Sequence, residues 1–145
     1  MKRTLQTNIA WALGIAFLLS LGVAAPAWSH DKQSGLDGVS YEVDVRPDKT
    51  AKDKGEKSFH ETITFADGKL MTANGARTGF ESAKYTLTQI DDHDYTFNAE
   101  QDGDDHGKQV WSGTVKGDDI RGKMVWTKAD GTVLTYDFHG DEKRK

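Results

Sequence analysis

Residues 110–140 read V-W-S-G-T-V-K-G-D-D-I-R-G-K-M-V-W-T-K-A-D-G-T-V-L-T-Y-D-F-H-G, and this stretch decides the fold. Trp111, Gly113 and Val115 alternate with polar residues, as do Ile120, Gly122, Met124 and Trp126. That period of two describes half-buried strands. Gly117-Asp118 between them is a two-residue hairpin signal, because both residue types tolerate positive φ. The loop sets Val115 opposite Ile120, Gly113 opposite Gly122 and Trp111 opposite Met124. Facing glycines leave a gap on the apolar face, which implies a bend or a space filled by a neighbouring Trp ring. The next turn allows two registers. A two-residue Asp130-Gly131 loop would throw Leu134, Tyr136 and Phe138 onto the other face. A three-residue Ala129-Asp130-Gly131 loop, with Gly131 left-handed, pairs Trp126 with Leu134 and Met124 with Tyr136. The second keeps a single apolar face, and it is the register expected.

Working outward, similar alternation recurs through the chain. Val39, Tyr41, Val43 and Val45 form one stripe, and Phe59, Glu61, Ile63 and Phe65 another. Asp67-Gly68 closes a tight hairpin with Phe65 opposite Leu70. Tyr85 and Leu87 face Ala99 and Phe97 if Asp91-Asp92-His93 is the turn. Residues 47–57 read as a charged loop, 73–82 as a loop or short helical turn, and 101–108 as a polar connection. Residues 30–36 read as a polar lead-in, disordered at its start. About eight strands joined by short turns, without a convincing amphipathic helix, describe an all-β antiparallel meander. It closes as an up-and-down barrel or packs as a small sandwich.

The start of the chain is different in kind. Lys2 and Arg3 precede residues 9–25, which carry no charge, and Pro26 precedes small-residue cleavage sites after Ala27 or Ser29. This is the pattern of a secretory signal peptide, preferred over a membrane anchor at the short limit of a spanning helix. A signal helix over residues 1–29 is therefore expected ahead of one domain at 30–145. Export by the Sec route to the periplasm or beyond follows, with no stable membrane insertion after cleavage. The chain has 19 basic and 23 acidic residues and no cysteine. Cleavage after Ser29 takes two basic residues and no acid, leaving 17 against 23, a net charge of −6. That balance disfavours nucleic acid and anionic lipid as partners. Without disulfides, about 115 residues must hold together by packing alone, which suffices for one modest core.

The motif W-x-G-x-V-x-G-D-x-I-x-G-x-M-x-W followed by Y-x-F-x-G resembles small exported bacterial proteins of uncharacterised function. The segments F-x-x-T-I-T-F-x-D-G-K at 59–69 and G-F-x-x-A-x-Y at 79–85 extend the resemblance over most of the chain after the signal. It implies a lipocalin-like β-barrel, although Gly38-Val39-Ser40-Tyr41 stands where lipocalins open on G-x-W.

Candidate chemistry is sparse. With no cysteine, no G-x-S-x-G elbow and five scattered histidines, nucleophilic catalysis has no visible machinery. A non-enzymatic protein is expected. A barrel of about eight strands is filled by side chains or holds one small ligand. A small apolar guest would meet a lining of Tyr41, Phe65, Tyr85, Phe97, Trp111, Gly113, Gly122, Trp126 and Tyr136, in a monomer. The alternative is an envelope interaction or metal-binding protein acting through acidic, His-containing loops. Asp92 and His93 in one loop, and Asp104 and His106 in another, offer carboxylate and imidazole ligands suited to Ca, Zn or Cu. Neither run has the spacing of a calcium loop or a zinc site, and loops at opposite barrel ends could not share an ion. His30 near the new N-terminus could bind Cu through its ring and the terminal amine. No resident cofactor is expected.

Overall fold

The computed structural model describes residues 35–144, so the signal segment and His30 lie outside the described residues. Eight strands, β1 (Val39–Pro47), β2 (Phe59–Ala66), β3 (Lys69–Thr72), β4 (Ala83–Asp91), β5 (Asp94–Asp102), β6 (Lys108–Lys116), β7 (Asp119–Thr127) and β8 (Val133–Glu142), run in chain order. Each pairs antiparallel with the next, and β1 pairs with β8, closing an up-and-down barrel rather than a sandwich. Closure gives both would-be edge strands a partner.

The ribbon register is the one its turns dictate. Val115 pairs with Ile120, Gly113 with Gly122 and Trp111 with Met124. Beyond the second turn, Trp126 pairs with Leu134 and Met124 with Tyr136, and Gly131 takes φ 86°. Trp111, Met124, Leu134, Tyr136 and Phe138 are all buried inside one barrel. The glycine pair leaves no gap, however. A Cβ on Gly122 would lie 2.6 Å from the Gly113 Cα and 2.7 Å from the Phe138 ring. On Gly113 it would meet the Phe138 and Phe97 rings at 3.1 Å. Phenylalanines, not a tryptophan, fill the space.

Other turns differ in detail. Asp67 and Gly68 both take positive φ (53° and 71°), as a tight hairpin of the primed kind requires. The β4–β5 turn has two residues, Asp92-His93, not three, because Asp91 pairs directly with Asp94. The register slips between Gln89 and Asp91, leaving Ile90 exposed there. A bulge of this kind absorbs the extra residue.

Connections at one end of the barrel are tight turns: Asp67-Gly68, Asp92-His93 and Gly117-Asp118. At the other end they are longer and carry helical turns, α1 (Lys49–Asp53), α2 (Ala73–Thr78) and a 3₁₀ turn at Asp104–His106. The charged segment at 47–57 thus holds a helix. The Asp48 side chain accepts the Ala51 N–H at 2.7 Å, capping α1, and Ala51 is its one buried residue. Leu36 is also no loose lead-in, being 2% exposed against the core.

Tyrosine–carboxylate bonds latch both ends. At the turn end the Tyr85 hydroxyl donates to Asp37 at 2.7 Å, and Asp37 also accepts from the Gly68 N–H. At the helical end the Tyr136 hydroxyl donates to Glu56 at 2.8 Å. Burial, then the adjacent carboxylate, raises the pKa of both phenols well above the usual tyrosine range. The outer face of the barrel carries ion pairs such as Lys123–Asp137 and Lys108–Glu100. Among the described residues no helix is long and apolar enough to cross a membrane.

Candidate ligand-binding site

The inward stripes are not apolar throughout their length. Among the described residues the four buried polar side chains, Glu61, Thr72, Gln101 and Gln109, all lie where the strands approach the helical end. Each continues an inward stripe: Glu61 follows Phe59, Gln101 follows Ala99, and Gln109 precedes Trp111. Burying such groups costs free energy unless they are hydrogen-bonded. Thr72 Oγ1 donates to Gln101 Oε1 at 3.3 Å, and Gln101 Nε2 donates to the Glu81 carbonyl at 2.9 Å. The Trp111 indole N–H lies 3.4 Å from Gln109 Oε1. No buried side-chain nitrogen or oxygen among the described residues lacks a partner.

Beside these groups lies a cavity of about 280 Å³ lined by Phe59, Glu61, Asn74, Gly75, Thr78, Phe80, His106, Gln109, Trp111 and Trp126. Strands supply Phe59, Glu61, Gln109, Trp111 and Trp126. The α2 turn supplies Asn74, Gly75 and Thr78. Phe80 and His106 come from the connections that follow α2 and β5. The Phe80 ring meets Trp126 edge to face at 6.0 Å and His106 at 6.2 Å. The Trp126 indole N–H donates to the His106 carbonyl at 2.7 Å, tying the 3₁₀ turn to β7. Trp126 is therefore both wall and tether.

The Glu61 carboxylate is 5% exposed as a residue and sits between β2 and the start of α2. Its Oε1 accepts the Thr62 N–H at 2.8 Å and the Asn74 N–H at 2.9 Å. Its Oε2 receives only the longer arm of that shared Asn74 bond, at 3.2 Å. No lysine, arginine or histidine among the described residues pairs with it. Arg77, the closest cation along α2, donates to Asn74 Oδ1 instead.

The larger hollows among the described residues are open surfaces, and two of them border the smaller cavity or the turn end. One of about 520 Å³ lies on the outer wall among Glu42, Asp44, His60, Arg77 and His139, and Glu61 and Asn74 border it as well as the smaller cavity. Within it the His60 ring nitrogen approaches Asp44 at 2.6 Å, an exposed pair. Another of about 390 Å³ lies across the turn end, around Leu36, Tyr95 and Gly117. Neither has the enclosing aromatic walls of the smaller cavity, which makes size a poor guide here.

Of the nine lining residues expected from sequence, the structure brings Trp111 and Trp126 to the cavity. Tyr41, Phe65, Tyr85, Phe97 and Tyr136 are packed into the solid core, Phe65 edge to face with Tyr41, Tyr85 and Phe97. Gly113 and Gly122 are covered by Phe138. Asp92 and His93 sit at the turn end, and Asp104 and His106 at the helical end, roughly 30 Å apart along β5 at about 3.4 Å per residue. Those loops cannot share an ion. Among the described residues no three His, Cys, Asp or Glu side chains converge as a metal site would need. His106 lines the cavity, a different place from the one its loop suggested. Glu61 was legible as an acid in the inward phase of an apolar stripe; Phe80 was legible as a ring expected to turn inward, but its aperiodic segment gave it no register. No family model, curated protein or solved structure matches the chain.

Proposed function

We propose that the protein is an exported, monomeric, non-enzymatic binding protein that holds a small, mainly apolar molecule at the helical end of its barrel. The observation that carries this reading is the cavity walled by Phe59, Phe80, Trp111 and Trp126. Small-molecule sites are concave and mostly apolar, with a few placed polar groups, and range over about 300–1,000 Å³. At about 280 Å³ the space suits a compact guest rather than a lipid chain. The polar groups around it hold structure: Glu61 binds the start of α2 and Gln109 faces the Trp111 indole, which supports holding a ligand over transforming one. Export rests on the basic start, uncharged run and small-residue cleavage sites of residues 1–29, and on the resemblance to exported lipocalin-like proteins.

Calorimetric titration of the protein with tert-butylbenzene, a compact neutral apolar probe, tests the reading. Saturable one-to-one binding that is weakened by Trp126→Leu supports it. The absence of saturable binding overturns it. Mass spectrometry of the N-terminus of the protein recovered from the cell envelope tests export; an intact Met1 there would contradict cleavage.

A further inference from the structure

The cavity combines two features that a purely apolar pocket does not need. Four aromatic rings surround it, and a carboxylate without a cationic partner among the described residues forms part of its lining. Aromatic faces carry negative potential and attract cations, more strongly where water is excluded. A buried carboxylate without a counter-ion is costly, and an incoming positive charge offsets that cost. The capping of α2 accounts for Glu61 Oε1, which accepts both N–H groups at short distance. It does not account for Oε2, whose one bond is the 3.2 Å arm of an N–H already engaged. We propose that the cavity selects organic cations, small amines or quaternary ammonium ions carrying an apolar body, with Glu61 as counter-ion and the Trp111 and Trp126 rings against the cationic head. This rests on the cavity being the binding site and adds the charge of its occupant.

The protein already uses the same chemistry once at this end. Lys128 Nζ lies 4.8 Å from the centroid of the Trp126 ring. That lysine does not line the cavity, and Glu56 balances it at 3.4 Å, so it does not neutralise Glu61. His106 is the titratable group facing the space from the 3₁₀ turn. Glu61 is the one carboxyl side chain in the cavity's lining among the described residues.

The test compares two probes of nearly identical shape, phenyltrimethylammonium and tert-butylbenzene, titrated into the full chain at pH 8. The cation should bind at least tenfold more tightly than its neutral isostere. Glu61→Gln, which keeps an oxygen for the Asn74 N–H, should bring the two within about threefold while leaving tert-butylbenzene binding in place. If Glu61→Gln does not fold, Trp126→Leu decides, and it should weaken the cation at least threefold more than the isostere. Equal or tighter binding of tert-butylbenzene overturns the charge selection and leaves the binding reading standing. Failure of both probes overturns both. A cation preference unchanged in Glu61→Gln overturns the assignment to Glu61, and one unchanged in Trp126→Leu overturns the seating of the cation in this cavity.

Discussion

The two ends of this barrel solve the same closing problem with different materials. At the turn end, short hairpins bring Val115, Ile120, Phe65 and Leu70 together, and Leu36 covers them from before β1. At the helical end, longer connections stand off from the strands, and buried polar groups replace aliphatic ones. The turn end closes mainly by burying hydrocarbon against hydrocarbon, with the Tyr85–Asp37 hydrogen bond at its margin. The helical end must place each amide and carboxylate against a partner, and directional bonding leaves the 280 Å³ space between Trp111, Phe80 and Trp126. The difference teaches that room inside a small barrel comes from polar residues in the inward phase, not from missing side chains. The Gly113–Gly122 pair makes the point from the other side, since two absent side chains simply admit Phe138.

Substitutions at matched aromatic positions should separate the ends most widely. Phe65→Ala removes a ring packed edge to face on three others and should cost about 3–5 kcal/mol in denaturant unfolding. Phe80→Ala, although Phe80 is only 4% exposed, removes a ring beside space that already exists, and should cost less than half as much. Equal losses would mean that the helical end is packed as solidly as the core.

Next in size is Gly122→Ala. Its new methyl would run into the Ser112 carbonyl oxygen and lie 2.6 Å from the Gly113 Cα and 2.7 Å from the Phe138 ring, so β6 backbone and a ring must both shift, an overpacking cost of about 1–3 kcal/mol. A neutral or stabilising result would restore the idea of a void at the glycines.

Alkaline pH acts on both latches together. Burial, then the negative charges of Glu142 and Asp118, pushes Tyr41 up to about 12, and Tyr85 and Tyr136 are raised further by the same burial and their bonded carboxylates. A folded-state pKa above the unfolded one means that the folded protein holds more protons in that window, so stability falls as pH rises. The contribution is intact below about pH 10, where unfolded tyrosine titrates, and is lost towards pH 12 and beyond. Unfolding midpoints by urea should stay level from pH 8 to 9 and fall above 10. Level midpoints through pH 11.5 would show that the phenols ionise without cost to the fold.

The smallest effect belongs to the tether. Trp126→Phe keeps an aromatic wall but removes the indole N–H given to the His106 carbonyl, a loss of about 0.5–1.5 kcal/mol. Hydrogen exchange at Gly107 and Lys108 should rise while exchange in β7 holds. Unchanged exchange at those amides would show the 3₁₀ turn to be held by other contacts.

Much of the barrel was legible because side-chain alternation and turn length jointly determine register. The Ala129–Asp130–Gly131 loop had only one reading that kept Leu134 and Tyr136 on the side of Trp126. Asp92-His93 was misjudged because the bulge at Ile90 consumes a residue without changing the pattern around it. Helix α1 was missed, and residues 73–82 could be read only as a loop or a short helical turn, because five or six residues are too few to show a 3.6-residue period. Closure by β1 and β8 is a long-range pairing that no local pattern encodes. The site was half legible. Trp111 and Trp126 follow from alternation, and Glu61 stood in the inward phase, but Phe80 reaches the cavity only through the path of the segment after α2. Assigning the lining to the middle of the barrel overlooked that middle rings pack against each other first.

The central claim is that binding belongs to the helical end alone. Titration with tert-butylbenzene, followed by amide and indole resonances, tests it most directly. The Trp111 and Trp126 indole N–H signals and the Asn74 and Gly75 amides should shift saturably, with Gly117 and Asp118 at the turn end unmoved. Saturable shifts centred on Gly117 and Asp118, with the two indoles silent, would contradict the account.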